Sequence, residues 1–318
     1  MNKNILITGA GGFVGRNLYE FLKDRYNVYG ATHKELDVLE QDDVREYINN
    51  KKIDVVIHCA NVGGSRKSDI DGNSNVVSDN LRMFFNLVSS LKPEMHMIHF
   101  GSGAEYGKNR DLNKVSVKEF GEHIPKDDYG FSKYVASRYI EKADNITCLR
   151  IFGLYGKYED YSFKFISNAI LKSILGLPIV INQNVVFDYL YIDDCLNIID
   201  SFITKMPKSK FINLTPSNSI DLFTIANIIN KISLNINGKQ SKIILINENL
   251  NYEYTGDNNE LLNELNNYRF TSYEEGIARL YKYYLENIKS IDKNIVMEDP
   301  YLKSCNIKTM EVSNGIRK

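Results

Sequence analysis

Cysteine is scarce in this chain. Cys59, Cys148, Cys195 and Cys305 stand far apart among 318 residues, with no CxxC pair and no histidine partners at metal spacing. A disulfide framework and a zinc site are therefore disfavoured, and no metal is expected. A surplus of one charge sign is missing too. The net charge is −1, which removes the broad attraction that nucleic acid or an anionic membrane surface exploits. No apolar run approaches the roughly 20 residues of a membrane span. The opening MNKNILITGAGG holds an apolar stretch too short for a signal peptide, and it runs straight into a loop. There is no internal repeat and no low-complexity block. The expectation left standing is a reduced, cytoplasmic, globular protein of one large or two moderate domains.

What is present is alternation. Apolar runs at residues 4–8, 26–31, 54–60, 97–100 and 147–152 read as strands. Segments with helical spacing separate them: Val14 to Leu22, Arg45–Asn50, Asn80–Leu91 and Tyr129–Lys142. Strands alternating with helices imply an α/β fold with a doubly wound parallel sheet. After Gly156 the pattern loosens. Helices are expected over residues 163–175, 220–232 and 273–288, with short strands at 178–181, 188–192 and 211–214. The layout that follows is a dinucleotide-binding domain over 1–160 with return segments near 188–220. A smaller C-terminal α/β substrate-binding region comprises 161–187 and 221–290. Residues 291–318 form a polar, weakly patterned C-terminal extension.

Gly9-Ala10-Gly11-Gly12-Phe13-Val14-Gly15 follows the first strand and opens the first helix. In that setting the glycines permit a tight turn and let backbone N–H groups approach a pyrophosphate, as in a Rossmann fold. Gly9, Gly12, Phe13, Val14, Gly15 and Arg16 are thus candidate cofactor contacts. An NAD site commonly closes its second strand with Asp or Glu. Here Thr32 is followed by His33 and Lys34, cations suited to a 2′-phosphate, so NADPH is favoured over NAD. Asp37 and Val38, after the second strand, are placed near the adenine. Cys59, Ala60 and Asn61 end another strand beside the nicotinamide ribose, while the side chains of His58 and Cys59 suit packing. Ser102, at a strand end before glycine, can present its hydroxyl into a cleft. No GxSxG surrounds it, which argues against a hydrolase nucleophile.

In Asp127-Asp128-Tyr129-Gly130-Phe131-Ser132-Lys133-Tyr134, Tyr129 and Lys133 sit four apart and share a helix face. An ammonium beside a phenol can lower its pKa and make it a proton donor. The spacing alone is weak evidence, because Tyr19/Lys23 and Tyr47/Lys51 repeat it on crossover helices. Ser102, Tyr129 and Lys133 in this order resemble the catalytic trio of the extended short-chain dehydrogenase/reductase family, in its sugar-nucleotide-modifying branch. The resemblance spans about residues 4–285. It also takes in the glycine turn, His58–Asn61, Asn80, the LRIFGLYG stretch containing Ile151 and Phe152, and YLYIDD at 189–194. It implies Tyr129 as acid/base, Lys133 on the nicotinamide ribose, and Asn80, Ile151 and Phe152 on the cofactor side. Ser102, Gly103 and Ala104 would meet the reacting sugar. Phe163, Lys164 and Asn168 would cover a nucleotide-diphosphate sugar, with core packing an equal reading for Phe163. Phe187 replaces an arginine common in relatives, which removes one expected diphosphate contact. A homodimer through the helices starting near Asn80 and Tyr129 is implied as well.

Departures from the family's subgroups narrow the reaction. Dehydratases carry Thr-Asp-Glu where this chain reads Ser102-Gly103-Ala104, and on an extended segment Glu105 would point the opposite way. GDP-fucose synthase epimerises with a cysteine where Ala104 stands and a later histidine, but no histidine follows His123. The expectation is therefore an NADPH-dependent 4-ketoreductase of a nucleotide-linked 4-keto-6-deoxy sugar, hexose or heptose and GDP-linked by likeness, serving surface polysaccharide or capsule synthesis. The alternatives are an NAD-dependent nucleotide-sugar 4-epimerase and, from another class, a non-catalytic NADPH-binding regulator.

Overall fold

The computed structural model describes residues 3–64 and 75–305. At its centre lie β1 (Asn4–Thr8), β2 (Asn27–Ala31), β3 (Val55–His58) and β4 (His96–Ser102), joined by the strands Ile146–Ile151 and Phe211–Leu214. All six run parallel, in the order Phe211–Leu214, Ile146–Ile151, β4, β3, β1, β2. The chain steps outward from β1 to β2, then returns across β1 to lay down β3. The carboxyl ends of β1 and β3 consequently flank a topological switch point, where open α/β sheets bind ligands.

The apolar runs are continuous because both faces of the sheet are covered. Successive side chains alternate between faces. Ile5, Ile7, Ile57 and Ile98 enter one core with Leu18 and Leu22 of α1 (Phe13–Leu22) and with the helix Ile192–Thr204. Leu6, Val56 and Met97 enter the other. There they meet Val44 and Ile48 of α2 (Gln41–Lys51), Phe84 of the helix Val76–Val88 and Ile140 of the helix Asp128–Ile140. Each fully buried Ile or Leu contributes about 1.5–3 kcal/mol. Strand Phe211–Leu214 returns the chain to this sheet after the helices Phe165–Ile174 and Ile192–Thr204 have left it.

The expected strand at 178–181 is present as Ile179–Gln183, and short strands that periodicity does not show join it and the rest of the molecule. Ile179–Gln183 pairs in parallel with Ile243–Asn247. A small sheet joins Ile220–Asp221, Val186–Phe187, Tyr254–Gly256 and Leu112–Val115. The tail also departs from its weakly patterned reading. Helix Lys293–Glu298 is capped by Asp292, and Asp299 forms an ion pair with buried Lys172. Residues 306–318 of the expected extension lie outside the described residues. No helix among the described residues is long and apolar enough to cross a membrane.

Three histidines are buried beneath the switch point. His58 meets Thr8 Oγ1 through Nδ1 at 2.9 Å, and His96 meets Thr147 Oγ1 through Nε2 at 3.0 Å. Burial, then the Lys133 charge, pushes His58 down to about 3, and burial, then Lys3, lowers His96 to about 4. His99 is lowered by burial, Lys133 and His58. The unfolded chain, with histidines near 6.5, binds more protons than the fold below that pH. Stability is full above about pH 6.5 and is lost as pH falls toward 4, at up to about 1.4 kcal/mol per unit for each histidine. Thermal melting should therefore drop between pH 7 and 5. An unchanged Tm would show that these rings accept a proton in place.

Candidate active site

The glycine turn is built by close approach. Gly9 adopts φ +64°, and a Cβ there would lie 2.8 Å from the backbone of Ala60. A Cβ on Gly15 would overlap the Gly9 carbonyl. These glycines let the start of α1, the end of β1 and the end of β3 converge. Ala60 N–H donates to Thr8 Oγ1 at 3.2 Å, tying the two strand ends. The resulting cradle has the shape and helix-terminal amides that a dinucleotide pyrophosphate needs. The expected flanking residues are disposed unevenly. Arg16 is paired with Glu20 and stacked on the Tyr158 ring at 3.7 Å. His33 and Lys34 are exposed just past β2, while buried Val38 and half-buried Asp37 follow. The carboxylate of Glu35 folds back to accept from Thr32 N at 2.9 Å and from Thr32 Oγ1. A cavity of about 410 Å³ there is lined by His33, by the lysines Lys34 and Lys51 and by carboxylates including Asp37 and Glu46.

Asn80 ties two segments together. Its Oδ1 accepts from Val62 N at 2.8 Å, and its Nδ2 donates to Val62 O at 2.8 Å and to Ser132 Oγ at 3.3 Å. The two bonds to Val62 position the Asn61–Val62 loop. Cys59 is half-buried, its thiol pushed up by burial.

Ser102, Tyr129 and Lys133 converge at the carboxyl end of β4. Asp127 caps the helix Asp128–Ile140 by accepting from Gly130 N at 2.9 Å, which sets Tyr129 and Lys133 in its first two turns. A Cβ on Gly130 would meet Ala104 O at 2.8 Å, so glycine lets this helix dock on the segment after Ser102. The Lys133 ammonium donates to Phe100 O at 2.8 Å and lies 5.8 Å from the centre of the Tyr129 ring. Burial lowers Lys133 to about 8. Tyr129 goes against expectation. Burial, reinforced by Glu105 and Asp127, raises it to about 12, while its contact with Ser102 pulls the other way. Desolvation of the phenolate outweighs any help from Lys133, whose ammonium is held on the Phe100 carbonyl. Gly64 covers the ring closely enough that a Cβ would meet it at 2.8 Å.

Glu105 points away from the cleft, for a reason other than the one expected. The segment Gly103–Tyr106 is a 3-10 turn, not extended. Ser102 Oγ accepts from Ala104 N at 3.1 Å, and Glu105 Oε1 accepts from Ser102 N at 2.8 Å. The other Glu105 oxygen accepts from Ser137 Oγ at 2.6 Å and from Arg150 Nε at 2.7 Å. Both ions are fully buried. The Arg150 guanidinium lies 4.3 Å from the Phe120 ring centre and 4.5 Å from that of Phe211.

A model of the NAD dependent epimerase/dehydratase family matches residues 5–215. The chain belongs to this family. GDP-6-deoxy-D-talose 4-dehydrogenase of Aggregatibacter actinomycetemcomitans is 25% identical over 87% of this chain and 97% of its own. GDP-L-colitose synthase of Yersinia pseudotuberculosis is 25% identical over 64% of this chain and 74% of its own. Among solved structures, UDP-glucose 4-epimerase of Thermotoga maritima superposes with TM-score 0.76 at 18% identity, covering 90% of this chain and 99% of that one. That likeness shows the fold.

On the side away from the glycine turn, this family member presents aromatic rings. Phe187 packs on Tyr189 at 5.1 Å and on Tyr254 at 6.0 Å between ring centres. Phe152 lies 5.1 Å from Tyr254. Ile151 is half-buried beside it. Lys164 is exposed at the start of the helix Phe165–Ile174, with Phe163 half-buried before it. Buried Asn168 turns its amide inward to Tyr161 O at 3.2 Å. Tyr254 was not foreseen. It stands on a three-residue strand in an asparagine-rich stretch, and neither periodicity nor spacing marks it.

Removing Arg150 leaves Glu105 buried and unpaired. Arg150→Met should cost about 3–5 kcal/mol in urea unfolding. A loss under about 1 kcal/mol would show that the ion pair does not hold this turn.

Proposed function

We propose that the protein reduces the C4 keto group of a nucleotide-diphosphate-linked 4-keto-6-deoxy sugar, with NADPH as reductant. One observation carries the reading: the cleft gathers Tyr129 with Ser102 and Lys133, and the neighbouring carboxylate, Glu105, is engaged by Arg150. Ala104, in the other position expected of an acid, offers no proton. The curated relatives named for GDP-linked sugars, including one named as a 4-dehydrogenase, support a GDP-sugar and redox chemistry at C4.

The bound nicotinamide supplies the reducing equivalent. The chain's own residues handle the oxygen. Tyr129, raised to about 12, is protonated at neutral pH, the state required of a donor to the developing alkoxide. Ser102 offers a hydroxyl to the same oxygen as charge builds. The Lys133 cation stabilises the phenolate left behind. Exposed His33 and Lys34, beside a Glu35 already engaged by Thr32, support a 2′-phosphate. Half-exposed Phe85 and Tyr139, with rings 5.4 Å apart on neighbouring helices, support a homodimer through that face.

A panel of GDP-, CDP-, dTDP- and UDP-linked 4-keto-6-deoxy sugars tests the proposal by loss of NADPH absorbance. Tyr129→Phe should keep cofactor binding and lose at least about 100-fold in kcat. As pH rises through about 8, Lys133 gives up its proton and kcat for reduction should fall. Retained turnover in Tyr129→Phe would refute the assignment. Protein purified with bound oxidised NAD, and no net NADPH use, would point to a 4-epimerase. Cofactor binding without turnover of any sugar would point to a regulator.

A further inference from the structure

Ser102 has two phenols for neighbours. One is Tyr129. The other arrives from the far end of the chain, on the strand Tyr254–Gly256. That strand is held from several sides. It pairs with Leu112–Val115 and with Phe187, and Gly256 N donates to buried Asp188 at 2.9 Å. Ring contacts with Phe152 and Phe187 fix the tyrosine's aim. Its hydroxyl lies over the residue after Ser102, so close that a Cβ on Gly103 would meet Tyr254 Oη at 2.8 Å. The Tyr254 hydroxyl thus stands beside Ser102 from one side and the Tyr129 phenol from the other.

A serine hydroxyl has one proton to give and two lone pairs to fill. One lone pair of Ser102 is filled by Ala104 N–H at 3.1 Å. If Tyr254 fills the second, the serine proton has one direction left, toward Tyr129 and the oxygen that reacts there. We propose that Tyr254 is a positioning residue of the site: its hydroxyl donates to Ser102 Oγ and thereby aims the serine's single proton at the reacting oxygen. The inference rests on the reduction proposed above for what that oxygen is, but the hydrogen-bond relay itself does not. A hydroxyl that is both acceptor and donor in a buried chain is polarised and donates more strongly. Tyr254 is itself a poor acid here, because burial raises it further above its usual value. It therefore stays protonated and available as a donor at neutral pH.

The test needs a readout that requires neither substrate nor cofactor. The ionisation of Tyr129 can be followed in the free protein by NMR of ¹³Cζ-labelled tyrosine, with Tyr129→Phe identifying the signal. The charged and titratable groups facing it are Lys133 on its own helix, Glu105 and Asp127 on the flanking segments, and Tyr254. None of these but Tyr254 changes in the experiment. Tyr254→Phe keeps the ring that packs on Phe152 and Phe187, and an unchanged Tm would confirm the fold. With the relay intact in the wild type, Tyr254→Phe weakens the serine's donation, so Tyr129 should ionise at higher pH. Ser102→Ala should move it further up, and adding Tyr254→Phe to Ser102→Ala should move it no more. On any keto sugar turned over, kcat should fall about tenfold in Tyr254→Phe with the KM for NADPH unchanged. Overturning results are an unmoved Tyr129 in Tyr254→Phe, or a shift of equal size in the Ser102→Ala background. If the titration behaves as expected and no sugar reacts, the relay stands and the proposed reaction falls.

Discussion

The buried pair Glu105–Arg150 holds the site together. Glu105 accepts from Ser102 N at the end of β4, from Ser137 on the helix that carries Tyr129 and Lys133, and from Arg150 on the next strand. The two elements that bring the reactive groups, β4 and that helix, are thus bolted together with the next strand through one carboxylate. Two buried charges do not guarantee stability, since their desolvation can exceed their attraction. Here the surroundings offset that loss. Burial works against the Arg150 charge, yet Glu105, Tyr106 and Cys148 hold its affinity for the proton above the ordinary value. Arg150 Nη1 also donates to Tyr106 Oη at 2.9 Å, and the Tyr106 hydroxyl donates in turn to Asn213 Oδ1 at 2.8 Å. The network reaches strand Phe211–Leu214, so the position of Ser102 is registered across four elements.

That network also sets the electrostatics of the cleft. Once Glu105 is engaged by Arg150, the buried Lys133 lacks a direct counterion and leans on a backbone carbonyl. Its lowered proton affinity and the raised one of Tyr129 share one cause, a dry environment that disfavours either charge. The phenol therefore rests neutral and holds its proton tightly, beside a cation whose hold on its own proton is weakened. The four-residue spacing in DDYGFSKY supplies the two groups. Burial, which the spacing cannot reveal, decides the direction of their shifts.

What the sequence reveals follows the same division. The glycine turn, the parallel sheet and the trio are legible because each depends on local rules: a glycine where backbones touch, continuous apolar runs where both faces are covered, and a helix that sets i and i+4 side by side. Glu105 misleads because a 3-10 turn of four residues carries no periodic signal, and reading the segment as extended gives the right conclusion for the wrong geometry. The tail helix at Lys293–Glu298 is hidden because its stability comes from contacts such as Asp299 with Lys172, more than 120 residues away.

Tyr254 shows why substrate choice is harder to read than chemistry. The reactive groups sit on long elements with strong patterns. The wall facing them is made of strands two to four residues long, Leu112–Val115, Val186–Phe187 and Tyr254–Gly256, each too short to fold alone and fixed by its neighbours. Each is fixed by its pairing partners rather than by its own sequence, and Phe187 sits there among rings, packed on Tyr189 and Tyr254. Proton transfer needs groups placed to within tenths of an ångström and is anchored to the rigid sheet. On the proposed function, recognition of the sugar and its nucleotide falls to the small sheet, whose side chains shape the pocket, while the network behind Ser102 holds the reacting groups in place.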